Sequence, residues 1–503
     1  MPNIASNLAR SARLSPDATA IRYGDRRLGY AELDEAARRF AAGLHARGLQ
    51  PGDRVAVFAK NGPEYVVTMF GTFAAGMVVV PVNAKLSGSE LAVILDDSGA
   101  ALLVHDDAGA GVVQEAATAV PRLRIGAEYD SWMDSLTPLD RPVDVAPEAV
   151  AWLFYTSGTT GRPKGAELTH RNLLAMTWLE LADVCDYRRD DRALHIAPLS
   201  HGSGLYLLGA LTRGAENLIY DKPSFDAADV LRLIERERVT VLAFVAPTMI
   251  VMLLDADAAA PADTSSLRRA VYGGAPIHLE HARRMVERFG NVFVQIYGQG
   301  ESPMTITYLN LAHGPADDEM LLSAGFAHPG VEVAVLDEHD RPVPVGETGE
   351  ICVRGDTVMR GYRNSPEATA TTLRGGWLHT GDIGRLDEQG RLTLLDRSKD
   401  VIISGGTNIY PREVEDALLA HPDVDEVVVF GEPDALWGES VTAAVVRRPG
   451  SAVDEADLVE WCRRRIASFK KPKRVVFCDS LPTNAYGKVL RREIRAHLIE
   501  MNA

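Results

Sequence analysis

The sequence predicts an α/β protein: a large N-terminal domain of parallel sheets covered by helices, a small β-barrel-like section, and a small α+β C-terminal domain. Three observations carry this. Helix, Gly/Pro turn and short β-rich run recur through the first three hundred residues, a pattern that favours parallel sheets flanked by helices. After about Val331 the texture changes to strands joined by turns, which suggests an antiparallel, barrel-like section. Near Asp396 a last unit begins in which strands and helices are again mixed.

Taken in order, Leu33 to Ala46 has the apolar spacing of a helix and runs into the turn Arg47-Gly48-Leu49-Gln50-Pro51-Gly52-Asp53. Arg54 to Phe58 follows as a strand. The uncharged run Tyr65 to Ala84 approaches a membrane span in length. Gly71, Gly76 and Pro81 interrupt it, so it reads as a buried helix, a glycine break and the strand Met77 to Val80. Ala151 to Tyr155, Val239 to Phe244, Arg268 to Tyr272 and Val292 to Ile296 are the next strands. Val331 to Leu336, Gly349 to Val353 and Leu392 to Leu395 form the barrel-like section. The last unit has helices at Arg412 to Ala420 and Ala456 to Ser468, and strands at Val424 to Phe430 and Val441 to Val446. No fixed-period repeat occurs.

At 503 residues the chain exceeds one compact core, and roughly 150 residues per domain implies two to four units. A net charge of −16 argues against a general nucleic-acid binder. Cys185, Cys352, Cys462 and Cys478 form no CxxC pair, so free thiols in a reducing cytoplasm are expected rather than disulfides or zinc. Met1 to Leu14 carries arginines but no apolar signal core. The basic run Arg463 to Arg474 is either a solvated face or a holder of a phosphorylated ligand.

Thr156-Ser157-Gly158-Thr159-Thr160-Gly161-Arg162-Pro163-Lys164-Gly165 carries the first chemistry. Its three glycines let backbone approach an anion, and its four hydroxyls and its N–H groups donate to phosphate oxygens. Lys164 adds a compact positive charge. Glycine follows this lysine, so the segment is not a Walker A loop. Gly109-Ala110-Gly111 lacks the third glycine of a dinucleotide fingerprint, and Gly202-Ser203-Gly204 lacks the spacing of a nucleophile elbow. His278, Glu280 and His281 fit no zinc signature and read as solvent-facing helix residues.

The phosphate loop and Leu481-Pro482-Thr483-Asn484-Ala485-Tyr486-Gly487-Lys488 together resemble the adenylate-forming superfamily of acyl-CoA synthetases, aryl-CoA ligases, luciferases and peptide-synthetase adenylation domains. Matches follow in family order over almost the whole chain. Pro198-Leu199-Ser200-His201-Gly202 resembles the segment whose histidine borders the acyl site. Tyr272-Gly273-Gly274-Ala275-Pro276 resembles the turn beside adenine. Tyr297-Gly298-Gln299-Gly300-Glu301 resembles the aromatic-Gly-x-Thr-Glu motif, whose ring packs on adenine and whose glutamate holds Mg²⁺. Trp377 to Asp382 resembles the ribose segment, with Arg397 also facing the nucleotide. Lys399 occupies the family's hinge, and Ser404-Gly405-Gly406-Thr407-Asn408 resembles the loop lining the CoA tunnel. One departure is plain: Gly300 stands where the family commonly has a threonine that contacts the α-phosphate. Ser302 or Thr305 are candidate replacements.

The resemblance implies a division into residues 1–397, an adenylation domain, and 398–503, a mobile domain that swings about its hinge. It implies ATP, Mg²⁺ and CoA, with Lys488 bridging the substrate carboxylate and the nucleotide. Thr156, Ser157, Gly158, Thr159, Thr160, Gly274, Ala275, Pro276, Tyr297, Gly298, Asp382 and Arg397 would hold the nucleotide, with Lys164 and His201 among the catalytic residues. His201, Tyr206, Ala246, Gly273, Ile296 and Gln299 would line the acyl pocket. Its stretches, Ser200 to Leu208, Phe244 to Met249, Gly273 to Gly274, and Ile296 with Gln299 to Thr305, contain no arginine or lysine, which disfavours a dicarboxylic acid. They also show no acid placed for an ammonium group, which disfavours amino acids. The expected activity is an ATP-dependent acyl-CoA ligase for a hydrophobic fatty, aryl or polycyclic acid. The alternative is a free-standing adenylation enzyme that loads a carrier protein. A non-enzymatic nucleotide binder is opposed by the intact Lys164, Glu301, Asp382, Arg397 and Lys488. No integral membrane segment is expected, and a homodimer is compatible with the sequence.

Overall fold

The computed structural model describes residues 3–156, 163–314, 317–405, 407–434, 436–482, 490–491 and 493–495. The expected α/β architecture is present. Among these residues three sheets carry the fold. The smaller N-terminal sheet has six strands in the order Arg122–Arg124, Ala100–His105, Arg54–Phe58, Val78–Pro81, Val150–Thr156 and Lys164–Thr169. It is parallel except for its last pair, in which Thr156 opposes Lys164. The expected phosphate loop is therefore the connection of a β-hairpin.

The larger sheet has thirteen strands. Arg192–His195, Val241–Val245, Arg269–Gly273 and Phe293–Gln299 lie parallel at its centre, and Ser302–Asn310 turns back antiparallel on the last of them. The expected strands beyond Val331 exist, but they close no barrel among the described residues. Gly325–Ala327 pairs with Ser302–Asn310 on one side and Arg391–Arg397 on the other. This leaves Leu378–Leu386, Gly349–Arg354 and Glu332–Leu336 to continue the same sheet to an open edge.

The helix Pro63–Ala74 shows why the long uncharged run is not a span. Proline opens it at the first turn and eleven of its residues are buried by protein. No helix among the described residues is long and apolar enough to cross a membrane. Its Phe70 and Phe73 pack with Phe40 and Trp152 in the main core.

After Arg397 the chain leaves the large sheet. Lys399 is exposed in the short turn Ser398–Asp400, and a separate five-stranded sheet begins at Ile402. That sheet has its own core of Val414, Leu418, Val429, Ala443 and Leu458. The helix expected at Ala456 to Ser468 is present as Glu455–Arg463, five residues short of Ser468. The basic run that follows is largely paired within the unit: Arg463 and Arg464 with Glu460, Lys470 with Glu413, Lys473 with Asp434. This is the solvated-face reading. His278 departs from its expected solvent exposure, because its Nδ1 meets Asp416 at 2.6 Å, tying the start of Leu279–Phe289 to the C-terminal unit.

Candidate active site

Among the described residues, Ala246, Gly273 and Tyr297 lie at or near the C-terminal ends of central parallel strands, the position where open α/β sheets bind ligands. Gly273 ends its strand, and Gly274, Ala275 and Pro276 form an exposed turn. Gly274 has φ +82°, which a side chain would strain. At Gly273 a Cβ would lie 2.6 Å from Ile296 Cδ1, so only glycine lets the two strands present a flat wall there.

Asp382 is the best-organised group. Its Oδ2 accepts the Tyr297 hydroxyl at 2.6 Å and the Gln299 amide at 2.6 Å, while Arg397 Nε meets Oδ1 at 2.7 Å. Its own N–H donates to Thr380 Oγ1, which in turn donates to Ile351 O. Burial raises the Tyr297 pKa and the adjacent Asp382 adds to the rise, so the phenol stays a donor. Gln299, expected on the acyl wall, instead spends its amide on Thr380 O and Asp382. Glu350 braces this segment from behind, accepting from Gly381 N–H and pairing with His379. Glu350, Cys352 and His379 could crowd a metal ion. Cys352 and Glu350 both contact His379 Nδ1, and Glu350 also meets Arg374, while His379 Nε2 has no hydrogen-bond partner among the described residues.

A second cluster surrounds Glu301. Its Oε1 accepts the Tyr362 hydroxyl at 2.6 Å and the Thr156 hydroxyl at 3.3 Å. Lys164 Nζ lies 5.2 Å from the centre of the Tyr362 ring. A carboxylate oxygen ringed by hydroxyls, with an ammonium close by, suits a hard cation and the phosphates that accompany it. Residues 157–162, which include Ser157, Gly158, Thr159 and Thr160, lie outside the described residues, as do Lys488 and Gly406.

The structure also explains Gly300. A Cβ there would overlap Thr156 Cγ2 and lie 2.7 Å from Phe154 Cδ1. The space a threonine would need is already filled by the side chains of Thr156 and Phe154. Neither suggested replacement offers a hydroxyl to the site: Ser302 Oγ bonds Thr357 Oγ1 at 3.0 Å, and Thr305 donates to Pro303 O.

His201 precedes the helix Gly202–Arg213, with Nδ1 3.2 Å from Ser200 Oγ and its ring edge-on to Phe154 at 5.5 Å. Burial lowers its pKa to about 4, so it is neutral at pH 7. Tyr206 and Ile296 share one apolar cluster with Phe244 and Met304, and Tyr206 stacks on Phe244 at 6.1 Å. Ala246 caps the helix Pro247–Ala259 at the cluster's edge. In the C-terminal unit Gly405 has φ +57°, and a Cβ on it would meet the Trp437 ring at 2.7 Å.

Sequence reasoning missed two residues here. Tyr362 comes to Glu301 from 61 residues away and carries no local signal. Glu180 lies deep beside Tyr206. Its signal is a charge on the stripe Met176, Glu180, Val184, and it lies outside the stretches taken as the pocket.

With this geometry in view, residues 8–363 match the model of the AMP-binding enzyme family and residues 413–488 that of the AMP-binding enzyme C-terminal domain. The chain belongs to this family of adenylate-forming enzymes. It is 44% identical to a feruloyl-CoA synthase of Amycolatopsis sp., over 97% of each chain. It is 38% identical to the fatty acid–[acyl-carrier-protein] ligase ScoC of Streptomyces coeruleorubidus, over 96% of this chain and 94% of that one. Among solved structures it is similar to ATP-bound MatB from Rhodopseudomonas palustris, with TM-score 0.91, 32% identity and full coverage of both chains.

Proposed function

We propose that the protein is an ATP-dependent acyl-CoA ligase that activates a hydrophobic carboxylic acid as its acyl-adenylate and passes the acyl group to CoA. The observation that carries this reading is the pair of hydrogen-bonded clusters: Asp382 holds Tyr297 near the end of the central strand Phe293–Gln299, and Glu301 follows that same strand. Similarity to a feruloyl-CoA synthase over nearly the whole length supports CoA as acceptor.

In the first half-reaction a carboxylate oxygen attacks the α-phosphorus of ATP, and the bond to pyrophosphate breaks. Such a step depends on positioning and charge neutralisation more than on base catalysis. Asp382 accepts from the ribose hydroxyls, held in place by Tyr297, Gln299 and Arg397. The turn Gly274 to Pro276 lies against the base. Lys164 and the hydroxyls from Thr156 to Thr160 neutralise phosphate charge. Glu301 would hold Mg²⁺, a hard cation that would supply charge neutralisation for the triphosphate. Lys488 bridges the acid's carboxylate and the nucleotide. In the second half-reaction the CoA thiolate attacks the acyl carbon and AMP leaves. His201, neutral at this pH, borders the acyl group without adding charge. Lys399 is the hinge, and Ser404, Gly405 and Gly406 line the thiol's path. The boundary between adenylation domain 1–397 and mobile domain 398–503 is supported by the change of sheet between Arg397 and Ile402.

Lys488→Ala is expected to abolish ATP–pyrophosphate exchange while sparing thioester formation from supplied acyl-adenylate. Equal loss of both half-reactions would contradict the assignment. A second reading, loading of a carrier protein, is favoured by the similarity to ScoC. It predicts pyrophosphate exchange without CoA consumption. The four free cysteines support a cytoplasmic setting.

A further inference from the structure

The acyl pocket has a polar floor. The helix His170–Leu179 passes directly into a single wider turn, Glu180–Val184, of the π type that concentrates at functional sites. This turn carries Glu180 into the interior, where the residue is only 3% exposed. Neither of its oxygens makes a hydrogen bond of good geometry, and neither does the nearby Tyr187 hydroxyl, although Tyr187 and the Gly209 backbone both lie close enough to act on the carboxyl. Burying a carboxyl without partners is costly, so an unsatisfied one calls for an explanation.

The surroundings are shaped around it. Gly209 sits opposite, and a Cβ there would lie 2.7 Å from Glu180 Oε1 and closer still to Oε2. Glycine inside a helix is unfavourable relative to alanine, yet only glycine leaves room for this carboxyl. A small cavity of about 10 Å³, space for one water-sized group, adjoins it. Met176, Glu180, Tyr206, Met304 and Thr305 are among its walls. The cavity continues the acyl pocket: Tyr206 stacks on Phe244, and Met304 and Phe244 are the side chains closest to Gly202 beside His201. Gly202, Tyr206 and Gly209 fall on one helix face, so Glu180 lies about 10 Å from the mouth at 1.5 Å per residue. That is the span of an aromatic ring with a short side chain. Met304 closes the way with a flexible thioether on a backbone at φ +61°, a strained setting for a non-glycine residue.

We propose that Glu180 is a specificity-determining residue that hydrogen-bonds a hydroxyl at the far end of the acid, so that the preferred substrate is a hydroxyaryl acid rather than a plain hydrocarbon acid. The inference rests on the ligase reading above and names its substrate class. Burial pushes the Glu180 pKa well above the carboxylate range, against the opposing influence of Tyr187 and Gly209. The group is then a neutral acid that can both donate and accept, which matches a phenol. An ammonium would require the ionised form.

The test compares kcat/KM for 4-hydroxycinnamic acid, 4-aminomethylbenzoic acid, cinnamic acid and octanoic acid with the full-length enzyme, ATP, Mg²⁺ and CoA. The unsubstituted enzyme should prefer 4-hydroxycinnamic over cinnamic acid by about tenfold to a hundredfold, the range for one hydrogen bond to a buried group. Glu180→Leu should erase that ratio, because kcat/KM for 4-hydroxycinnamic acid falls much further than kcat/KM for cinnamic acid. Glu180→Gln, which still donates and accepts, should keep most of it, with a melting temperature at pH 8 equal to or above that of the unsubstituted enzyme. Three results would overturn the proposal: no preference in the unsubstituted enzyme, equal loss for both cinnamic acids in Glu180→Leu, or preference for the aminomethyl acid. The second would make Glu180 a core acid held by Tyr187. Turnover of any acid upholds the ligase reading in each case, so the two claims fail separately.

Discussion

Gly300→Thr restores the residue common in this superfamily, and the structure predicts that it harms the enzyme. The new Cβ would overlap Thr156 Cγ2 and press on Phe154 Cδ1 at 2.7 Å. Both neighbours are anchored. Thr156 is held by its bond to Glu301, and Phe154 lies edge-on to His201. Overpacking of this kind costs about 1–3 kcal/mol. Unfolding entropy of about 2.1 cal/mol/K per residue converts this to a fall in melting temperature of roughly 1 °C per kcal/mol in a chain this long. The effect on activity should be larger, because a shift of about 1 Å at a positioned group can cost on the order of 100-fold. ATP–pyrophosphate exchange should therefore fall by at least about tenfold. Adding Thr156→Ser removes the nearest methyl and should recover part of the lost melting temperature. Faster exchange with an unchanged melting temperature in Gly300→Thr would refute the reasoning and mark Gly300 as a plain deficit.

Two further outcomes are expected. His170, His195 and His201 each have pKa values lowered by burial to about 4. Between there and the unfolded value of 6.5 the unfolded chain binds more protons, so stability is lost as pH falls through that window. The ceiling is about 3 kcal/mol per histidine, and thermal melts at pH 7.5 and pH 5 should differ by several degrees; equal melts would contradict the burial argument. Asp382→Asn sets an amide against Arg397 and weakens the acceptor for Tyr297 and Gln299. The KM for ATP in the exchange assay should rise about tenfold or more, and an unchanged KM would remove Asp382 from the nucleotide site.

Much of the site was legible because its residues come in short ordered motifs at strand ends. Tyr297, Asp382 and Arg397 were named separately from sequence, and the fold brings all three together. The central strands were equally readable, since Arg54–Phe58 and Arg269–Gly273 are short β-rich runs between turns. What failed was tertiary. Strand pairing beyond Val331 depends on which edges remain free, and the free edge of Gly325–Ala327 joined the large sheet instead of closing a barrel. Gln299 was expected on the acyl wall, but Asp382 offers its amide a charged acceptor that the wall lacks. Tyr362 meets Glu301, and Glu180 lies against Gly209, across long stretches of chain where periodicity carries no information.

The most direct test of the central claim is product analysis with a panel of fatty, aryl and polycyclic acids, ATP, Mg²⁺ and CoA, following AMP release and acyl-CoA by mass spectrometry. The account predicts stoichiometric AMP and an acyl-CoA thioester with at least one hydrophobic acid. AMP-linked acid without a CoA thioester would move the acceptor to a carrier protein, and no nucleotide turnover with any acid would contradict the account.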